Sequence, residues 1–117
     1  MNVADAVRFV GAVPHAEVPD YYALTDAIVC TRGPERVCAV VTPLKPYEAM
    51  AYRKAVVVSD VPALREMVQD GVTGRIVPPL EPRALAAVLA QLADDAPQRA
   101  RLGASAATWV AERDRYR

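Results

Sequence analysis

The sequence predicts an α/β fold, a parallel sheet of about four strands with helices on both faces. Three observations predict it. Four short runs rich in β-branched and apolar residues, at 7–13, 27–31, 55–59 and 74–78, are near-continuous and do not alternate. Such runs mark strands covered on both faces, as in sheets held between helices. Helix-length stretches with 3.6-residue patterning separate the runs, and crossovers of that length force neighbouring strands to lie parallel. The 117 residues leave room for one domain with one modest core, read as a single unit over 1–117 with a helical last part at 95–117. Right-handed connections then make the sheet doubly wound.

Each element has its own reason. Residues 7–13 (VRFVGAV) supply the first strand, and a short helix over 18–24 follows it. Residues 27–31 (AIVCT) form the second strand. A helix over 42–53 starts with Thr42 as N-cap and Pro43 at the first helical position; Pro46 still fits, because amides in the first turn have few partners inside the helix. The third strand is 55–59 (AVVVS). Over 62–68, Asp60 is placed to cap a helix, Leu64, Met67 and Val68 share a stripe, and Gly71 ends it. The fourth strand is 74–78 (GRIVP). Behind Glu81-Pro82, residues Leu85, Val88, Leu89 and Leu92 fall on one face of a helix over 82–92. The last helix, 97–113, sets Leu102, Ala106, Trp109 and Val110 along one side and Arg99, Arg101, Glu112 and Arg113 along a solvated one.

Composition excludes several function classes. Fourteen Lys and Arg balance fourteen Asp and Glu, so there is no basic field to recruit a nucleic-acid backbone. No apolar run approaches the roughly 20 residues that cross a bilayer. Residues 1–5 (MNVAD) lack the charged and apolar regions of a secretion signal, which gives the expectation of a cytoplasmic location with Cys30 and Cys38 as reduced thiols. The spacing of the two cysteines matches no zinc or redox pattern, and a lone His15 completes no ligand set, so no metal is expected.

In a doubly wound sheet, ligands bind outside the carboxyl ends of the strands. That directs attention to the loops at 12–16, 31–41, 60–63 and 78–81. The most informative segment is 41–51 (VTPLKPYEAMA). Lys45 is unusual in a first helical turn, where a cation opposes the positive end of the helix dipole. An anion there reverses the sign, and amides, the Thr42 hydroxyl and the Lys45 ammonium together make a reasonable phosphate cradle. The other reading of Lys45 is a side chain that swings into solvent. Glu48, at i+4 from Leu44 and i−3 from Ala51, shares the inward side of this helix, where a carboxylate needs a hydrogen-bond partner. It is suited to accept two hydroxyls of a ribose, or else to pair with Arg53, Lys54 or another cation. Neither G-x-G-x-x-G nor G-x-x-x-x-G-K-[ST] occurs, and no G-x-S-x-G elbow supports a hydrolase triad.

At this point the residues resemble a known family. The segments 7–13 (VRFVGAV), 21–26 (YYALTD), 42–51 (TPLKPYEAMA), 56–61 (VVVSDV) and 66–74 (EMVQDGVTG), with 101–103 (RLG) and Trp109-Val110, follow one another as in the C-terminal domain of GT-B glycosyltransferases of the family 4, glycosyl transferases group 1 type. The resemblance implies a partial, Rossmann-like C-terminal GT-B domain. It implies binding of the nucleotide half of a nucleotide-diphospho-sugar donor, and transfer of the sugar to a glycan or glycolipid acceptor with retention and without a metal.

Residue by residue, the resemblance makes Glu48 the second glutamate of an E-x7-E element and a ribose-hydroxyl acceptor. It sets the Thr42 and Leu44 amides toward the diphosphate and donor sugar, and makes Ala12, Val13 and Pro14 the loop bordering the base. Val40 stands where the first glutamate belongs, so Lys45 and Arg32 are expected to meet the donor instead. The resemblance also implies an N-terminal acceptor domain and a basic Arg and Lys pair for the leaving diphosphate, neither matched in this chain. No catalytic residue is therefore assigned here, and the chain alone is expected to be inactive. Further expectations are peripheral membrane association of the whole enzyme and self-association through an exposed sheet edge. Two other readings compete: a receiver domain, for which the acidic pair after the first strand is lacking, and a non-catalytic Rossmann-like interaction module.

Overall fold

The computed structural model describes residues 14–30 and 45–114. Pro14 accepts the Glu17 amide (2.9 Å), closing a 3-10 turn over His15–Glu17 that runs into helix α1, Val18–Leu24. Pro19 suits the first turn of α1, where an amide lacks a partner anyway. Thr25 ends the helix in an extended conformation, its amide donating to Tyr22 (3.1 Å) and its hydroxyl to the Tyr21 carbonyl (2.7 Å). The chain then enters β1, Ala27–Cys30.

Strand β2, Ala55–Ser59, lies between β1 and β3, Arg75–Val77. Both pairings are parallel, with Ala27 opposite Ala55 and Val57 opposite Arg75. Every residue of β2 is buried. Alternation sends Val56 and Val58 to one face, with Ala49, Met50, Leu64, Met67, Ala106 and Val110. Ala55 and Val57 go to the other, with Val77, Val88, Leu92 and Leu102. Each large aliphatic side chain so buried contributes about 1.5–3 kcal/mol relative to exposure. Two core layers on one strand explain why AVVVS reads as an unbroken apolar run.

Helix α2 spans Lys45–Ala51, α3 Pro62–Arg65, α4 Pro82–Ala93 and α5 Ala96–Asp114. The C-terminus of α2 closes as a Schellman motif: Lys54 donates to Ala49 and Arg53 to Met50, both at 3.0 Å, with Arg53 at φ 64°. The backbone there presents the Arg53 carbonyl to α5. Gly103 of α5 lies against it: a Cβ on Gly103 would stand 2.7 Å from the Arg53 carbonyl carbon and closer still to the oxygen. This contact explains how α5 passes below the start of β2, its Leu102 joining the core on one face and Ala106 and Val110 the core on the other.

Helix α4 begins at Pro82 and buries Val88 and Leu92, flanked by Leu85 and Leu89, as its periodicity requires. Asp95 caps α5 by accepting the Gln98 amide (2.9 Å). Arg99 reaches back to the Ala93 carbonyl (3.1 Å) and satisfies the end of α4.

The expected strands at 27–31, 55–59 and 74–78 correspond to β1, β2 and β3; the expected first strand, 7–13, lies outside the described residues. Two expectations on α3 are corrected. The helix over 62–68 stops at Arg65, and Asp60 is not its cap: Val61 holds the N-cap position without a side-chain cap. Asp60 instead accepts from Arg65 (2.7 Å) on the surface. Met67 and Val68 are still buried, but in a turn with its own hydrogen bonds. The Thr73 hydroxyl accepts the Gln69 amide (2.8 Å), Gln69 accepts the Thr73 amide (3.0 Å), and Gly71 takes φ 79°. Asp70 then accepts the Ile76 amide (2.8 Å), setting the start of β3.

Candidate functional site

Glu48 sits in the first turn of α2, half-buried beside the fully buried Ala49 and Met50. A carboxylate at such a position needs a hydrogen-bond donor. Helix α1 brings Tyr22 to it: the two side chains line the same cleft, and the Tyr22 phenol feels the Glu48 charge. The Tyr22 ring lies flat on that of Tyr52, with centroids 4.6 Å apart and planes 14° from parallel. Tyr52 follows Glu48 by four residues, just past the last residue of α2, its amide donating to the Glu48 carbonyl (3.1 Å).

Burial pushes the Tyr22 phenol above its ordinary 10.0, and the Glu48 carboxylate pushes it further the same way, with smaller contributions from Cys30 and Tyr52. The phenol therefore stays protonated, a hydrogen-bond donor, across the physiological range. The expected ion pair of Glu48 with Arg53 or Lys54 does not form; among the described residues Glu48 makes no ion pair.

Glu48 and Tyr22 line a cleft of about 430 Å³ beside β1, walled also by Val18, Thr25, Ile28 and Cys30. Its walls are mostly apolar, with one carboxylate, Glu48, and two tyrosines, Tyr21 and Tyr22, among them, the composition of a small-molecule site. A second cleft of about 280 Å³ lies between the turn after α3 and α5, bordered by Glu66, Gln69, Thr73 and Trp109, and holds none of the expected site residues. Among the described residues no group of three or more His, Cys, Asp or Glu side chains comes together as a metal site, and no helix is long and apolar enough to cross a membrane.

Of the sequence-predicted site residues, Glu48 is the one whose side chain the structure describes. Lys45 is the first residue of α2, with its backbone alone described. Val13, Arg32, Thr42 and Leu44 lie outside the described residues. Sequence reasoning did not single out Tyr22 or Tyr52 as partners of Glu48. The signal was weak: both read as amphipathic aromatics, and their meeting depends on how α1 and α2 flank β1.

A parallel sheet between helices, with a half-buried carboxylate in a cleft beside it, defines the class of Rossmann-like α/β domains. The chain belongs to the glycosyl transferases group 1 family, whose model matches residues 1–109. It is 29% identical over 106 residues to alpha-D-kanosaminyltransferase of Streptomyces kanamyceticus, covering 91% of this chain and 26% of that protein. It is 34% identical over 106 residues to D-inositol 3-phosphate glycosyltransferase of Thermobispora bispora, covering 91% and 24%. The chain thus spans about a quarter of the length of the curated relatives it matches. Among solved structures it is similar to Anabaena HepE in complex with UDP and glucose, with TM-score 0.83 and 25% identity over 95% of this chain and 29% of that one. It is likewise similar to sucrose-phosphate synthase of Thermosynechococcus elongatus, with TM-score 0.80 and 30% identity over 94% and 26%. These neighbours confirm the Rossmann-like, partial GT-B architecture.

Proposed function

We propose that the chain is the donor-binding part of a glycosyltransferase that takes a sugar from a nucleotide-diphospho-sugar and transfers it, with retention and without a metal, to a glycan or glycolipid acceptor. The observation that carries the reading is Glu48: a half-buried carboxylate that lines a cleft, within a chain of this family. Glu48 accepts the ribose hydroxyls. Lys45, Thr42, Leu44 and Arg32 face the diphosphate and sugar, and Val13 borders the base. The solved relative HepE, with UDP and glucose bound, supports this class of donor. Acceptor binding and the remaining groups for the leaving diphosphate belong to an N-terminal domain of the whole enzyme, with a cytoplasmic site of action and peripheral contact with membrane.

A ligand-observed NMR titration of UDP, GDP and ADP against this chain, with and without magnesium, tests the reading beside Glu48→Ala and Lys45→Ala. Binding of one nucleotide that weakens in both variants, and does not need the metal, supports it. Absence of binding to a folded chain rejects it.

A second reading, a non-catalytic interaction module, is favoured by one observation. Leu24 is 83% and Val29 41% exposed along α1 and β1, an apolar margin suited to another protein surface. It predicts a folded chain that binds no nucleotide and self-associates.

A further inference from the structure

Helix α2 carries Glu48, yet at seven residues it is too short to hold a direction by itself, and its setting comes from what it packs against. The positions it buries tolerate rotation. Ala49 is small, and the unbranched Met50 side chain adapts to irregular space. A roll of about 20° moves a group at the outer radius of a helix, about 5–6 Å from its axis, by about 2 Å. That is several times the roughly 0.5 Å within which a binding constellation must be kept.

Two contacts with α5 oppose such a roll. Just past the C-terminal end of α2, the Arg53 carbonyl lies against Gly103. In its first turn, the Tyr47 ring stacks on Trp109, with centroids 5.7 Å apart and planes 24° from parallel. Tyr47 and Arg53 are six residues apart, and so are Gly103 and Trp109, so the two segments run antiparallel with matching contacts about 9 Å apart. A contact on the backbone, close to the helix axis, fixes where α2 lies. A contact through an outstretched ring fixes its rotation. Arg113, one turn along α5, sets its guanidinium 5.2 Å from the centre of the Trp109 ring and gives that ring a second partner. The pair is not sealed in the core: both rings are half-buried, and Trp109 borders the second cleft. Their own contact, rather than enclosure, keeps them together.

We infer that Trp109 is a positioning residue for ligand capture, its ring holding Tyr47 and thereby the rotation of α2 at which Glu48 meets the ribose of a bound nucleotide. The inference rests on the donor-binding reading for the identity of the ligand. Trp109 lies outside the described lining of the Glu48 cleft and acts through Tyr47 and α2 alone.

The discriminating variants are Trp109→Phe, which keeps a ring on Tyr47, and Trp109→Leu, which keeps apolar bulk and removes the ring. Tyr47→Leu removes the other ring of the pair and is expected to behave as Trp109→Leu does, which keeps the test open if one of the two does not fold. Val88→Ala, in the core on the other face of the sheet, controls for loss of stability alone. Two readouts are taken on the full chain. The first needs no ligand: residual dipolar couplings of the Cα–Hα bonds of α2 against those of β2, which report the rotation of the helix and its averaging. They are expected to match the wild type in Trp109→Phe and Val88→Ala and to shift in Trp109→Leu. The second is affinity for whichever of UDP, GDP and ADP the wild type binds. It is expected to fall about tenfold in Trp109→Leu, the worth of one aromatic pair, as the competent rotation is populated less, and to stay within about twofold in the other two.

Couplings or affinity equal to the wild type in Trp109→Leu overturn the inference. So does a Trp109→Phe variant as weak as Trp109→Leu, because the ring contact would then not be what matters. A Val88→Ala variant weakened to the same degree overturns it too, because stability alone would explain the loss. A wild-type chain that binds none of the three nucleotides rejects the donor reading instead, and the couplings then decide the positioning role alone.

Discussion

Replacing Gly103 by alanine sets two physical effects against each other. In the middle of a helix, glycine is about 1 kcal/mol less favourable than alanine, so propensity alone makes Gly103→Ala stabilising by that amount. The structure gives the opposite sign. The new Cβ stands 2.7 Å from the Arg53 carbonyl carbon, 0.7 Å short of the 3.4 Å at which contact becomes ordinary, and it is nearer still to the oxygen. The atoms it meets are backbone, pinned by the hydrogen bonds that close α2, so neither side yields by rotating a side chain. Overpacking of this kind typically costs about 1–3 kcal/mol, more where the obstacle is rigid. After the helix gain is offset, a net loss of about 0–2 kcal/mol remains, toward the upper end because the obstacle is backbone. Urea denaturation followed by circular dichroism measures it, with a fall in midpoint at unchanged slope. A variant as stable as the wild type, or more so, would show that α5 does not pass against Arg53 and would refute the crossing inferred from Gly103.

The remaining expectations follow from the same structure. Leu64→Ala removes a fully buried side chain from the core beside β2 and is expected to cost about 2–5 kcal/mol in the same assay. Asp60→Ala breaks an ion pair whose two side chains are 43% and 61% exposed, and is expected to change stability by less than about 1 kcal/mol, whereas a true helix cap would cost about that or more. The Tyr22 phenol, raised above 10.0, keeps its proton in the folded chain at pH values where the unfolded chain loses it. Its contribution is therefore complete below pH 10.0 and declines as pH climbs past that value toward the raised one. Alkaline unfolding curves of Tyr22→Phe are expected to fall less steeply than those of the wild type.

Legibility in the sequence followed the range of the physics involved. Strand β2 was readable to the residue because four consecutive apolar positions and a serine need a covered site on both faces. Helix α1 was readable because its start rests on Pro19 and its end on Thr25, both local. The stripe of Leu64, Met67 and Val68 was read as one helix, and the burial was right while the backbone was not. A helical turn and the Gln69–Thr73 turn carry those side chains inward together, the second stabilised by the Thr73 hydroxyl, which periodicity does not register. Glu48 announced itself as a carboxylate on an inward position. Its surroundings did not, because the nearest cations in sequence, Arg53 and Lys54, sit in the closing turn of the helix, while Tyr22, which lines the same cleft, comes from a separate helix. The Asp95 cap went unread as well, since Pro97 drew attention to the helix start one residue later than Asp95 sets it.

Trp109, the single tryptophan of the chain, stacks on Tyr47 at 5.7 Å between centroids and carries the Arg113 guanidinium 5.2 Å from its own ring centre. Tyr47 immediately precedes Glu48, so the two neighbours point about 100° apart round the helix, one onto Trp109 of α5 and the other into the cleft. Indole emission is sensitive to both a stacked phenol and a nearby cation. The chain thus contains a built-in optical gauge, in which a slight roll of α2 at the cleft is read out at its back as a change in the fluorescence of one residue, with no label attached.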